Sequence, residues 1–167
     1  LSRNSWLCFD STTGAICHLF PERVSFPNNR RRQDKKSGSK GEILNTKYIN
    51  GKLHTIRPIS SKYNAFTRNS RVVSVLKTKN FGEVIQVEVG AMLVGKIFNH
   101  KCDSFRKLEE KGYFDFGGST IIQIFEKDSI IIDDDILSKS DEGIETKVQI
   151  GMTIGKSNMI VSVKEVD

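Results

Sequence analysis

Apolar residues along this chain come in short, β-branched runs, and glycines or polar clusters cut each run before it could fill a helix. Arg71-Val72-Val73-Ser74-Val75-Leu76, bounded by polar turns, predicts a strand. Val87 and Val89 alternate with Gln86 and Glu88, which predicts a strand with its valines inward and its polar residues outward. Gly90 and Gly95 bracket Ala91-Met92-Leu93-Val94, the pattern of a strand that bends sharply or passes close to other backbone. Residues 120–126 predict a further strand, Lys127-Asp128 a turn, and Ser129 to Ile132 the next strand. Val148, Ile150, Met152 and Ile154 alternate, after which Gly155 is expected to turn the chain into Met159-Ile160-Val161-Ser162-Val163.

Elsewhere the pattern is weaker. Tyr48 to Ile59 carries short alternations broken by Gly51 and Pro58, and Phe105 to Lys111 fits one helical turn or a charged hairpin tip. Ser2 to Phe26 shows no sustained period, and residues 28–41 are polar, basic and glycine/serine-bearing, which reads as a loop. Short strands with glycine corners predict an all-β fold, a compact barrel-like sandwich with at most one or two short helices. The expected organisation is a poorly defined segment over residues 1–43, containing the basic loop, followed by a β region over residues 44–167.

Charge sharpens this division. The net charge of +6 is spread unevenly. Residues 1–60 hold 11 Lys/Arg against 4 Asp/Glu, residues 61–118 hold 10 against 6, and residues 119–167 hold 5 against 10. A basic surface attracts anionic lipid or nucleic acid. The loop over residues 28–41 carries no aromatic residues among its cations, so stacking on bases is the weaker reading and headgroup contact the stronger one. No apolar run approaches the ~20 residues of a membrane-crossing helix, so the expected membrane contact is peripheral. The three cysteines, Cys8, Cys17 and Cys102, are odd in number and form no Cys-x-x-Cys. They indicate neither a disulfide framework nor a zinc site, and they fit a reducing compartment. A chain that opens on Leu1 rather than Met is expected to be a mature form or an excised fragment.

Candidate chemistry concentrates in Gly117-Gly118-Ser119-Thr120. A glycine pair leaves a carbonyl uncovered by side chains. A serine hydroxyl directly after that carbonyl can attack it in an N-to-O acyl shift, the chain cutting its own backbone. A plain glycine turn feeding a strand is the other reading of the same tetrapeptide. Asp133-Asp134-Asp135 reads as a turn or helix N-cap. As a calcium loop it lacks the glycine and distal glutamate, and no metal is expected.

The flanks of Ser119 carry a more specific pattern. Residues 87–97 (Val-Glu-Val-Gly-Ala-Met-Leu-Val-Gly-Lys-Ile), then residues 112–120 (Gly-Tyr-Phe-Asp-Phe-Gly-Gly-Ser-Thr), Phe125-Glu126-Lys127, Ile144-Glu145-Thr146 and Gly151-Met152-Thr153-Ile154-Gly155 follow in order. Together they resemble the C-terminal part of phosphatidylserine decarboxylases, the Gly-Gly-Ser-Thr form resembling the eukaryotic-type branch. Phe66-Thr67-Arg68-Asn69 with Arg71-Val72-Val73 is similar to the family's Phe-x-x-Asn-x-Arg-Val-Val region.

The resemblance implies a proenzyme that cleaves itself between Gly118 and Ser119 and converts Ser119 into a pyruvoyl cofactor. That ketone would condense with the amine of phosphatidylserine and accept the electrons released as carbon dioxide leaves, giving phosphatidylethanolamine. Residues 44–167 would then be the catalytic region. The implied partners are phosphatidylserine, a membrane surface, fragment 1–118 paired with fragment 119–167, and a second copy in a homodimer, with no nucleic acid. The implied place is membrane-associated and intracellular.

One departure stands out. The family's Asp-Tyr-His-x-x-His segment, which supplies the base for self-cleavage, and its Pro-x-Asp-Gly segment are both absent. Leu19 to Pro27 occupies the place of the first without a histidine, and Asp10 in Phe9-Asp10-Ser11 resembles the second only faintly. Among His18, His54 and His100, each read as structural or solvent-facing, His18 lies nearest the expected position of the base. The competing function is therefore a catalytically degenerate β-sandwich that binds anionic lipid or nucleic acid through its basic N-terminal part.

Overall fold

The computed structural model describes residues 4–10, 15–19, 23–25, 40–56, 64–106, 109–149 and 152–158. In chain order these form β1 (Asn4–Asp10), β2 (Ala15–Leu19), β3 (Arg23–Ser25), β4 (Lys40–Ile49), α1 (Ala65–Arg68), β5 (Arg71–Thr78), β6 (Gly82–Val89), β7 (Ile97–Asn99), β8 (Ser104–Arg106), β9 (Glu110–Phe114), β10 (Thr120–Phe125), β11 (Ile130–Ile132), α2 (Asp134–Asp141), β12 (Thr146–Gln149) and β13 (Gly155–Ser157). The expected all-β class, with two short helices among the described residues, is the one observed.

Eight strands pair in the order β12-β1-β2-β10-β6-β5-β4-β8, with smaller sheets β3-β9-β7 and β11-β13 beside them. All these pairings are antiparallel. β10 lies in the interior of the large sheet, bonded along its length to β2 on one side and β6 on the other. The alternation of Arg71–Thr78 buries Val72, Ser74 and Leu76 on one face of β5, as a half-covered sheet requires.

Registers across β5, β6 and β10 line up three successive rows on the inner face. Leu76, Val84 and Phe125 form an apolar row, and with Phe81, Phe105, Ile132, Ile136, Val148 and Ile16 they make the main core. Ser74, Gln86 and Gln123 form the next row, and Val72, Glu88 and Ile121 the third. Ile121 belongs to a second apolar cluster with Ala91, Val94 and Phe114. A buried polar belt therefore lies between the two cores.

That belt corrects the sequence reading of β6. Gln86 and Glu88, expected to face outward, are fully buried, while Val87 is half-buried and Ile85 is exposed. The cause is a set of polar partners that supplies donors to the Glu88 carboxylate, although Asn99 Oδ1 beside it is buried with no hydrogen-bond partner. Gln123 Nε2 donates to Gln86 Oε1 at 2.9 Å, and Gln86 Nε2 donates to Glu88 Oε1 at 2.9 Å. Lys111 Nζ from β9 donates to Glu88 Oε2 at 3.0 Å, and Asn99 Nδ2 from β7 donates to the same oxygen at 3.3 Å. Lys111 is itself 2% exposed. A buried carboxylate is tolerable only when paired and hydrogen-bonded in this way.

Other expectations shift in detail. The short alternations read over Tyr48 to Ile59 overlap only the end of β4, which runs over Lys40–Ile49, where most side chains are exposed and leave no alternation to read. The residues without a period contribute β1 and β2 to the large sheet, paired with each other as a local hairpin and flanked by β12 and β10, and β3 to the three-stranded one. Gly155 does not turn the chain but opens β13 opposite Ile132, where a Cβ would stand 2.4 Å from the Ile131 carbonyl oxygen. Within Phe105 to Lys111, β8 pairs with β4 and β9 with β3 and β7 rather than β8 with β9, and Glu109 N–H donates to the Arg106 carbonyl at 3.1 Å across Lys107 and Leu108, which lie outside the described residues. The loop over residues 28–39, Pro58, Ile59, Ile150 and Met159 to Val163 lie outside the described residues.

The Glu88–Lys111 pair yields a stability prediction. Lys111→Met leaves the Glu88 charge buried without its cation and is expected to cost about 3–5 kcal/mol. Adding Glu88→Leu recovers part of that loss, giving a coupling energy above ~1 kcal/mol in a double-mutant cycle. Urea denaturation of the four proteins measures it, and strict additivity would show the two groups to be uncoupled.

Candidate active site at Ser119

β9 and β10 are joined by residues 115–119, and this connection holds Ser119. The β7–β9 ladder pairs Ile97 with Phe114 and continues as Asp115 N–H donates to the Lys96 carbonyl at 3.0 Å. Phe116 then takes a φ of 64° and Gly117 a φ of 129°, which turns the chain back toward β10. Of the two glycines, Gly117 alone uses left-handed backbone freedom. Its position is roomy, with Val94 Cγ2 the nearest atom to an added Cβ at 4.0 Å. Gly118 is half-buried and Ser119 fully buried.

The Ser119 hydroxyl donates to the carbonyl oxygen of Val89, the last residue of β6, at 2.5 Å. Val89 is also the register partner of Thr120. The nucleophile named from the sequence is thus held at the mouth of the β6–β10 ladder, directly after the carbonyl it is expected to attack. Beside it, Thr120 Oγ1 is buried with no hydrogen-bond partner. An orphaned buried hydroxyl is costly, and this one follows directly on Ser119.

Asn69 fixes the far side of this corner. Its side chain is fully buried, donating from Nδ2 to the carbonyls of His54 and Gly90, both at 2.8 Å, and accepting His54 N–H at Oδ1 at 3.0 Å. Ser70 adds its carbonyl as acceptor for Gly90 N–H at 2.8 Å, and its hydroxyl bonds Gly51. Gly90 passes so close that a Cβ there would meet the Ser70 oxygen at 3.1 Å, as the bracketing glycines led one to expect. Residues 91–94 form not a strand but a tight turn, with reciprocal bonds between Ala91 and Val94.

The three histidines part company. His18 stands opposite Ile121 in the β2–β10 register, one pair beyond Leu19 and Thr120. His54 is held by its backbone on Asn69, and its carbonyl accepts Met92 N–H at 3.3 Å. His100 lies at the opposite end of β9, with Nε2 3.2 Å from Glu110 Oε1, and takes no part in the corner. Asp133 takes the N-cap position of α2 but makes no side-chain capping bond. Burial pushes the Cys102 thiol up from its ordinary value, the reverse of an activated nucleophile.

Sequence reasoning named Gly118 and Ser119 as candidates but not the Val89 carbonyl, the Asn69 clamp or the Glu88–Lys111 pair. A backbone acceptor leaves no trace in residue types. Asn69 was visible only as part of a motif.

The sequence profile of the family described as phosphatidylserine decarboxylase matches residues 37–156. Phosphatidylserine decarboxylase proenzyme 2 of Clostridium acetobutylicum is 56% identical over 119 residues, covering 71% of this chain and 41% of that protein. The phosphatidylserine decarboxylase proenzyme of Ruminiclostridium cellulolyticum is 45% identical over 119 residues, covering 69% and 40%. Proenzyme 2 of Oryza sativa is 48% identical over 114 residues, covering 65% and 18%. The chain thus spans about two fifths of the length of these bacterial relatives and less of the rice one. No solved structure matches.

Asn69→Leu is expected to orphan the His54 N–H and two carbonyls at this corner. At about 1–3 kcal/mol for each unsatisfied buried group, stability falls by at least about 2 kcal/mol. Thermal or urea unfolding measures the loss, and a change within ~0.5 kcal/mol would show that the clamp is dispensable.

Proposed function

Because the chain belongs to the phosphatidylserine decarboxylase family, we propose that it is the part of a pyruvoyl-dependent carboxy-lyase that cuts itself between Gly118 and Ser119 and converts phosphatidylserine to phosphatidylethanolamine. The observation that carries this reading is the Ser119 hydroxyl, buried and oriented by the Val89 carbonyl at the end of a connection with a left-handed glycine. The curated relatives are proenzymes by name, which supports processing of this chain as well.

The cut needs only the chain's own atoms and water. Ser119 Oγ adds to the Gly118 carbonyl carbon, the Gly118–Ser119 C–N bond breaks, and an ester joins the two parts with the residue 119 amine free. Loss of the residue 119 α-proton then breaks the ester C–O bond and releases Gly118 as a carboxylate. Water replaces the nitrogen as ammonia and leaves a ketone at position 119. That ketone supplies the electron sink for decarboxylation. The residues around position 119 suit such a group, with an unpartnered Thr120 hydroxyl beside it and a half-buried glycine on the side that opens once the bond is cut.

β10 starts one residue after the proposed cut and is bonded to both β2 and β6. Fragments 1–118 and 119–167 therefore remain joined without a peptide bond. In this reading the catalytic region runs over residues 44–167 and works at the surface of an intracellular membrane. Among the described residues no helix is long and apolar enough to cross a membrane.

One observation favours the second reading, a β-sandwich of the same fold that no longer matures. Ser119 Oγ bonds a carbonyl rather than a base, and a positioned base is worth 10²–10⁴-fold. Intact-mass measurement under denaturing conditions separates the two. The natural chain is expected to give two fragments, the second beginning at residue 119 with a pyruvoyl group, whereas Ser119→Ala stays whole. A fragment beginning at residue 119 from Ser119→Ala would mean ordinary proteolysis, and a natural chain that stays whole for days would favour the second reading. His100→Ala, paired as it is with Glu110, is expected to leave the rate of cutting unchanged. Slowing in His18→Ala or His54→Ala would identify a substitute base.

A further inference from the structure

Two turn apices flank the Gly118–Ser119 bond, and both present bulky apolar side chains in backbone conformations that disfavour them. Leu93 has a φ of 70° and is 82% exposed, and Phe116 has a φ of 64° and is 81% exposed. Turns normally fill such left-handed positions with Gly or Asn. Neither side chain gains burial in return for the strain. Met92, the other apex residue of the first turn, is 57% exposed, and half-exposed Leu53 lies against Gly95 at its base.

The two apices are neighbours in the fold. The ladder from Ile97 and Phe114 runs on through Lys96 and Asp115, and Gly117 faces Val94. Beneath them, Ala91, Val94, Phe114 and Ile121 form a packed apolar base. Backbone strain held at exposed positions beside a site points to a use for those side chains.

We propose that Met92, Leu93 and Phe116 form a wedge that enters the apolar layer of a lipid bilayer and brings the residue 119 site to headgroup level. The substrate side of this inference rests on the proposed function, but the docking itself does not. A second copy of the chain is the poorer occupant. Three side chains on convex apices fall far short of the ~800 Å² per partner of a stable protein interface. Lys52 and Lys96, both exposed and adjacent in sequence or ladder to Leu53 and Asp115, add cations at the rim, which suits anionic headgroups.

The strain supplies a test that an unfolded variant cannot confound. Leu93→Asn and Phe116→Asn place a residue tolerant of left-handed backbone at each apex, so both are expected to raise the melting temperature. Both are also expected to weaken partition onto phosphatidylcholine/phosphatidylserine vesicles by about tenfold each, and the natural chain keeps part of its binding at 1 M NaCl. Unchanged partition of the double variant, no binding by the natural chain, or a fall in stability would each overturn the proposal. So would a natural dimer in sedimentation that the double variant abolishes, which would make a second copy the occupant. A chain that docks in this way yet never cuts itself would sink the enzyme reading and leave this one standing.

Discussion

A carboxylate sealed from water needs its oxygens matched by donors, and Glu88 meets that need by drawing four strands to one point. Gln86 on its own strand, Lys111 on β9 and Asn99 on β7 donate to it directly, and Gln123 on β10 reaches it through Gln86. The three-stranded sheet is thereby fixed against the large one at a defined register. An apolar interface of equal area would tolerate small slips that this arrangement forbids, since each slip would orphan a buried charge.

The connection that carries Ser119 starts on β9 four residues after Lys111 and ends on β10 four residues before Gln123. Both of its anchors therefore belong to the same polar network. A short loop with fixed ends leaves few conformations, and the left-handed turn at Phe116 and Gly117 accommodates the remaining change of direction. The proposed cut falls in this loop rather than within a ladder. Cleavage there would free the carbonyl side of the bond while β10 stays bonded to β2 and β6. The geometry permits a chain to lose a peptide bond at its centre and keep its sheet.

Strands with a local signal were legible in the sequence. β5, β10 and β11 are β-branched runs with polar boundaries, and the structure places them close to where the pattern does. β6 was found as a strand and Val89 is buried as expected, but Gln86 and Glu88 are buried rather than exposed, because alternation reports two faces and burial is assumed to follow the apolar one. Here Gln86 and Glu88 are matched by Gln123, Asn99 and Lys111, which lie from 11 to 37 residues away. No window on β6 contains that information. β1 and β2 escaped although they pair with each other as a local hairpin, and their outer partners β12 and β10 lie more than 100 residues on. At the candidate site, Ser119 could be named from the sequence because the proposed chemistry needs only its neighbour in the chain. Its acceptor, a carbonyl 30 residues upstream, could not.

Left-handed backbone shows the same limit from the other side. Gly82, Gly117 and Gly143 take positive φ values, as glycine's reputation as a punctuator suggests. Leu93 and Phe116 do so as well, and nothing in their residue types announces it. A fold selected for stability alone would put asparagine or glycine at both apices. That the chain instead spends large apolar residues there, next to the buried Ser119, separates the demands on this corner. The polar network and the Asn69 clamp answer to folding, and the two strained apices answer to whatever the corner meets outside the protein.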